Sequence, residues 1–299
     1  MKATAAEAGA DIATDTNYIM ILIADSGATK TDWFYGNSSQ NGIRVETNGL
    51  NPFHICEKDM RQTIAETLFK KLEHPEQCTD IFFYGSGCTP NKRESVRNIL
   101  QETFPKAEIR IDTDLTGAAR ALFGDQAGIA CILGTGSNSG LYDGEKIIDN
   151  IPPLGYILGD EGSGAYLGKR FIADCLKRRL PETILSGLLD ELRLSTEDIL
   201  GNIYHKPNAN RFLAQITPYI YRVRSVPEVK DFLNDCFSDF FQRNIIPYRS
   251  PYPISFVGSV AYYFEEEIRN AASKMRLTIG RFIQYPLMDI VKYHLNKKQ

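Results

Sequence analysis

Apolar positions along this chain follow two patterns, short β-branched runs and longer rows at helical spacing, and the order in which they come repeats. The first stretch predicts strands at 19–24, 33–35 and 43–47, with Gly36-Asn37-Ser38-Ser39 as a loop. A helix from Glu57 follows, in which Met60, Ile64, Leu68 and Leu72 recur every four residues. Ile81-Phe82-Phe83-Tyr84 reads as a buried strand stopped by Gly85-Ser86-Gly87, and a helix over 92–102 and a strand over 108–111 complete a first unit. Asp112 to Ala121 opens a helix crowded with small residues, which can lie close to another backbone or a ligand. The grammar then restarts: a strand at 128–133, a turn from Gly134 to Gly140, the strand residues Leu141-Tyr142, the turn Asp143-Gly144 and a strand at 146–148. A mostly helical stretch over 164–243 leads to a strand at 254–257, a helix after Gly258, a strand at 277–283 and a last helix from Pro286.

This repeat of pattern, without repeat of sequence, points to an α/β protein of two related domains facing across a cleft. The boundary falls near Asp114: residues 18–114 with 286–299 form the first domain and 115–285 the second. Residues 1–17, rich in Ala, Thr, Asp and Glu, read as a disordered tail.

Two small-residue turns carry the chemistry. Asp25-Ser26-Gly27-Ala28-Thr29-Lys30-Thr31-Asp32 and Gly134-Thr135-Gly136-Ser137-Asn138-Ser139-Gly140 each join an apolar run to a second strand. Such hairpin tips expose backbone N–H groups with no bulky side chain in the way, and two facing tips would cradle a polyphosphate. Asp25 suits Mg²⁺, which favours one or two carboxylates plus phosphate oxygens. Lys30 suits a phosphate, and Thr29 and Thr31 supply hydroxyls; a turn cap and a solvated lysine would use the same residues. Asp114 is a candidate general base for a substrate hydroxyl, with Asp112 as competitor and a helix N-cap as the structural alternative. Asp160 and Glu161, set among Gly155, Gly159, Gly162 and Gly164, suit a substrate with several hydroxyls, or simply cap a glycine-rich loop.

Other nucleotide signatures fail. The nearest approach to G-x-x-x-x-G-K-[ST] runs from Gly162 to Gly168-Lys169-Arg170, one residue too long and with Arg in place of the hydroxyl. Gly134-x-Gly136 leads into a strand, whereas a dinucleotide-binding turn opens a helix. No H-R-D-like catalytic loop is present. The 299 residues carry a net charge of -3, which gives no basic field for nucleic acid, and no apolar run approaches the roughly 20 residues of a membrane span. The six cysteines are scattered without C-x-x-C spacing, as expected of reduced thiols in a cytoplasmic protein.

Taken in order, these turns resemble the sugar-kinase, heat-shock-protein and actin superfamily of ATPases, built from two ribonuclease-H-like domains, each a mixed sheet with flanking helices, around a nucleotide cleft. Within it they look like the N-acetylglucosamine kinase branch, which shares a family with the activator ATPases of benzoyl-CoA and 2-hydroxyacyl-CoA dehydratases. The resemblance implies that Ser26, Gly27, Thr29, Lys30 and Thr31 form the first phosphate motif and Gly134, Thr135, Gly136 and Ser137 the second. It implies that Gly258-Ser259 meets the adenosine, that Asp114 is the base, and that Asp160 holds sugar hydroxyls with Glu161 beside it. Gly49-Leu50-Asn51-Pro52 resembles the sugar-side loop, and Ser86 and Asn138 are assigned with Asn51 to the sugar. The chain departs from the pattern at Ser259, where a second glycine is usual, and at Asp289, where glycine is commoner. The resemblance thus implies a cytoplasmic homodimer that uses ATP and Mg²⁺ to phosphorylate an amino sugar, N-acetylglucosamine or N-acetylmuramic acid. The competing readings are an activator ATPase, which would hold an iron–sulfur cluster between subunits, and a regulatory protein that kept the fold without catalysis.

Overall fold

Strand β1 (Met20–Ser26) is the centre of the first sheet, and Ile21, Leu22, Ile23 and Ala24 are all fully buried. Its alternation sends Leu22 and Ala24 to one face and Ile21 and Ile23 to the other, and both faces are covered, so the run reads as continuously apolar. The computed structural model describes residues 20–297; the tail expected over 1–17 lies outside the described residues. Strands β2 (Lys30–Gly36), β3 (Gly42–Asn48), β4 (Cys78–Gly85) and β5 (Glu108–Thr113) join β1 in the order β3-β2-β1-β4-β5. The first two pairings are antiparallel and the last two parallel.

The second sheet repeats this plan. Strands β6 (Gly128–Leu133), β7 (Ser137–Tyr142), β8 (Ile147–Asp149), β9 (Ile254–Val257) and β10 (Ile279–Ile283) stand in the order β10-β9-β6-β7-β8. The hairpin pairs are again antiparallel and the crossover pairs parallel. Two mixed five-stranded sheets of one topology are the doubled ribonuclease-H-like architecture that the resemblance implied.

Helices α1 (Glu57–Gln62) and α2 (Pro90–Thr103) cover one face of the first sheet. After α1 the helix widens to a π-helical turn over Thr63–Leu68 and tightens again over Phe69–Lys71. A strict four-residue repeat drifts around an ordinary 3.6-residue helix, and the wider turn brings Met60, Ile64, Leu68 and Leu72 onto one buried stripe. Helix α3 (Asp114–Phe123) contacts strands of both sheets. Its small residues make this possible: a Cβ on Gly117 would come within 2.8 Å of the Tyr84 ring. Beyond β8 come α4 (Gly155–Leu158), α5 (Gly164–Leu176), α6 (Glu182–Leu192), α7 (Thr196–Tyr204), α8 (Ala209–Ala214), α9 (Thr217–Val223) and α10 (Pro227–Phe240). After β9 follow α11 (Ser259–Tyr263) and α12 (Glu265–Lys274), and α13 (Leu287–Asn296) ends the chain on β1, β2 and α3.

Three expectations shift. The second turn ends at Gly136, because Ser137 already pairs with Leu133 and the Ser-Asn-Ser-Gly segment is strand. Helix α3 starts at Asp114, since Asp112 and Thr113 still pair in β5 and the Thr113 hydroxyl accepts the Thr116 N–H at 3.2 Å as N-cap. Strand β10 begins at Ile279, two residues later than expected.

Candidate active site

The first turn is a tip of three residues between β1 and β2, closed by the Gly27 N–H donating to the Lys30 carbonyl at 2.9 Å. Gly49 braces it from below: its N–H donates to the Thr29 carbonyl at 2.9 Å, and a Cβ there would sit 2.6 Å from the Gly27 carbonyl oxygen. The Ser26 and Thr31 hydroxyls meet at 2.8 Å inside the hairpin, fully buried. Ser26 Oγ accepts the Leu50 N–H and Thr31 Oγ1 donates to the Asn48 carbonyl, both at 3.2 Å. These two hydroxyls therefore tie the hairpin to the 48–50 segment, while Gly27, Thr29 and Lys30 face outward to the cleft. Lys30 Nζ lies 2.8 Å from Asp32 and 4.9 Å from the centre of the Tyr285 ring.

The second turn is held by its own carbonyls. Gly134 and Thr135 accept the N–H groups of Gly164 and Ala165, the first residues of α5, at 2.8 and 3.1 Å. Gly258 packs against its root with φ 111°, and a Cβ there would lie 2.4 Å from the Leu133 carbonyl oxygen, so only glycine fits. Ser259 is the first residue of α11 and needs no left-handed backbone, so the departure from a second glycine falls where none is required.

Four carboxylates gather near the turns. Asp25 pairs across the hairpin with Asp32. Burial, then the charges of Asp114 and Asp32, push the Asp25 pKa up to about 7, with Lys30 opposing. Asp114 occupies the first position of α3, where its Oδ1 accepts the Leu115 N–H at 2.9 Å. Burial raises its pKa to about 6 against the Leu115 N–H and the Ser86 hydroxyl, which both favour the charged form. Ser86 also accepts from Asn51 Nδ2 at 3.3 Å, giving a polar chain from Asn51 to Asp114. Asp112, the competing base, is instead ion-paired with Arg93 at 2.8 Å. Asp160, at φ 55°, is raised to about 6 by burial; the Ser137 N–H pulls the other way. Its carboxylate leans on the second turn, 3.1 Å from where a Cβ on Gly136 would be. Glu161 turns away, to Asn244 at 3.2 Å and Arg243 at 3.8 Å.

Fifteen of the residues singled out in the sequence line one cleft of about 540 Å³ between the sheets: Asp25, Gly27, Thr29, Lys30, Asn51, Ser86, Asp114, Gly134, Thr135, Gly136, Ser137, Asn138, Asp160, Gly258 and Ser259. Ser26, Thr31 and Glu161 do not line it. Asp32, the last residue of the first motif, lines it too, as do His54, Asn210, Gln284 and Tyr285, which nothing in their local sequence marks. A second, more apolar recess of about 320 Å³, bounded by Thr217, Pro218, Tyr221 and Tyr263, shares Ser259 with the cleft. Among the described residues no three or more His, Cys, Asp or Glu side chains cluster as a metal cage. A magnesium ion carried in on phosphate needs only one or two carboxylates, and the mutually repelling Asp25, Asp32 and Asp114 fit that demand. No helix among the described residues is long and apolar enough to cross a membrane.

No protein-family profile matches the chain. A solved Porphyromonas gingivalis protein, provisionally described as an N-acetylglucosamine kinase, is 41% identical, with a TM-score of 0.90 over 94% of this chain and 100% of that one. A Chromobacterium violaceum protein so described is 18% identical, TM-score 0.72 over 93% of this chain and 99% of that one, a likeness of fold alone. The N-acetylmuramic acid/N-acetylglucosamine kinase of Clostridium acetobutylicum is 29% identical over 164 residues, 53% of this chain, and the match spans about half of that relative's length, 54%. With the doubled sheet topology and the Porphyromonas likeness along nearly its whole length, the chain belongs to the N-acetylglucosamine kinase branch of the sugar-kinase, heat-shock-protein and actin ATPase superfamily.

Proposed function

We propose that this chain transfers the γ-phosphoryl group of ATP to a hydroxyl of an N-acetylated amino sugar. One observation carries the reading: two glycine turns from separate sheets and the carboxylates of Asp25, Asp114 and Asp160 face a single cleft. In this reading the N–H groups of both turns hold the phosphates, and Gly258-Ser259 guides the adenosine toward the apolar recess beside Tyr221 and Tyr263. Asp25 holds Mg²⁺, which neutralises phosphate charge as it builds on the leaving oxygen. Asn51, Ser86, Asn138 and Asp160 orient the sugar. Asp114 accepts the proton of the attacking hydroxyl, the sugar oxygen bonds to the γ-phosphorus, and ADP leaves. A pKa of about 6 leaves Asp114 largely ionised at neutral pH yet basic enough to take that proton. Ser26 and Thr31 act by holding the first turn, and Glu161 by fixing the loop that carries Asp160.

N-acetylmuramic acid is the second acceptor to test, since the Clostridium relative's name includes it. The activator reading lacks comparable support: five of the six cysteines are buried and Cys56 alone is exposed, whereas a four-cysteine cluster shared between two subunits needs two from each. A cytoplasmic homodimer remains part of the proposal, and the exposed apolar side chains of Ile148, Leu154, Ile157 and Leu158 beside the cleft support self-association. The test is mass spectrometry of products after incubation with Mg-ATP and N-acetylglucosamine, N-acetylmuramic acid, glucosamine, N-acetylmannosamine or glucose. Phosphorylation of an N-acetylated sugar at least tenfold faster than of glucosamine and glucose is expected; equal rates on all five would remove the assigned specificity.

A further inference from the structure

A third cavity, of about 450 Å³, opens away from the cleft, among β4, β5, the far end of α3 and α13. Its charged wall is Arg120 of α3. The guanidinium donates through Nη1 to the Tyr84 hydroxyl and stacks on the rings of Tyr84 and Tyr293, at 5.5 and 5.4 Å. Its Nε–H is buried with no acceptor, and no carboxylate pairs with it among the described residues. Of the other charged side chains lining the cavity, three are ion-paired and Glu145 is not, among the described residues. Arg110 is bound to Asp80 and Glu108 at 3.0 and 2.6 Å, Lys297 to Asp125 at 2.7 Å, and Asp112 to Arg93. A half-enclosed arginine with no ion pair is where an anion gains most.

We infer that this cavity is a binding site for a small organic phosphate, with the phosphate on Arg120 and Lys297 and the carbon frame beside the half-buried ring of Tyr293. The volume exceeds what a bare phosphate fills, and the half-buried Tyr293 ring beside the guanidinium suits a compact body with one anionic end. Arginine is the residue that holds a phosphate through paired donors, and Lys297 on the rim, half-exposed, supplies a second charge by exchanging Asp125 for the ligand. Because Asp114 begins the same helix, occupancy would also stiffen the seat of the proposed base. The site itself does not depend on the kinase reading, and binding is measured without turnover.

The experiment is calorimetry on the full chain, its main cleft saturated with a non-hydrolysable ATP analogue and N-acetylglucosamine, titrated with N-acetylglucosamine 6-phosphate and, separately, with inorganic phosphate. The sugar phosphate is expected to bind with a sub-millimolar Kd and at least fivefold more tightly than inorganic phosphate. Arg120→Gln should weaken it tenfold or more, and Lys297→Gln, at the rim where folding is not at stake, about threefold. Unchanged affinity in Lys297→Gln together with unchanged affinity in a folded Arg120→Gln, or no sugar-phosphate binding to the wild type at 10 mM, would overturn the assignment. Inorganic phosphate binding as tightly as the sugar phosphate would overturn the ligand class.

Discussion

Asp25 and Asp114 are carboxylates whose surroundings oppose their charge, and each has a titration consequence. The folded state holds a proton on Asp25 more tightly than the unfolded chain does, between its ordinary 3.8 and about 7. Ionising Asp25 therefore erodes stability as pH rises through that window. Asp25→Asn should raise the melting temperature of the ligand-free protein at pH 8 and have little effect near pH 4. Mg-ATP should stabilise the wild type more than this variant, and EDTA should erase the difference. For Asp114 the observable is rate. The proposed base must be ionised, so kcat should fall below about pH 6, and Asp114→Asn should cut kcat by about 10²–10⁴-fold while leaving sugar and nucleotide affinity nearly intact. A variant within threefold of wild-type rate would move the role elsewhere, though the Arg93 pair makes Asp112 a poor substitute. Asp160→Ala should weaken sugar binding more than ATP binding, by about 1–3 kcal/mol. Its contact with Gly136 and Ser137 makes the opposite split in affinities the result that would reassign it to the nucleotide.

At the scale of elements, glycines set how near each turn comes to its support. Gly258 combines φ 111° with a carbonyl 2.4 Å from the missing Cβ. Gly258→Ala should therefore destabilise by about 1–3 kcal/mol and weaken nucleotide binding, read by thermal melts and ATP-analogue titration. Ser259→Gly, which restores the family's second glycine, should leave stability within about 1 kcal/mol of wild type, because Ser259 already sits in helical backbone. Elements were legible where one pattern ruled them: the unbroken apolar run of β1, the four-residue stripe from Met60 to Leu72, and the glycine that ends each run. Residue types alone could not say which hydroxyls of the first turn face outward. Ser26 and Thr31 are spent on the 48–50 segment, some twenty residues on, and no local signal marks that contact. For the same reason Glu161 was not separable from Asp160, since its partner Asn244 arrives from a distant helix. Asn210, Gln284 and Tyr285 reach the cleft only through the way the two sheets meet.

Across the whole molecule, the two sheets are joined through α3 and α13, and one contact spans the mouth of the cleft. Arg211 of α8 donates to the Ala28 carbonyl on the first turn at 2.7 Å. This bond ties the helical half to the phosphate turn, which favours a closed cleft and the exclusion of water from the transferring phosphoryl group. Arg211→Ala should loosen closure by about 1 kcal/mol, seen as a several-fold rise in KM for ATP and a larger radius of gyration by small-angle scattering in the ternary complex. Closure also sets what ATP alone can do: without sugar the cleft should hydrolyse it slowly. The most direct test is the rate of ADP release with saturating Mg-ATP, with and without N-acetylglucosamine, in wild type and Asp114→Asn. Sugar should accelerate release at least a hundredfold in the wild type, with one phosphosugar formed per ADP, and the variant should lose that acceleration. ATP hydrolysis indifferent to the sugar, or undiminished in Asp114→Asn, would contradict phosphoryl transfer at this cleft.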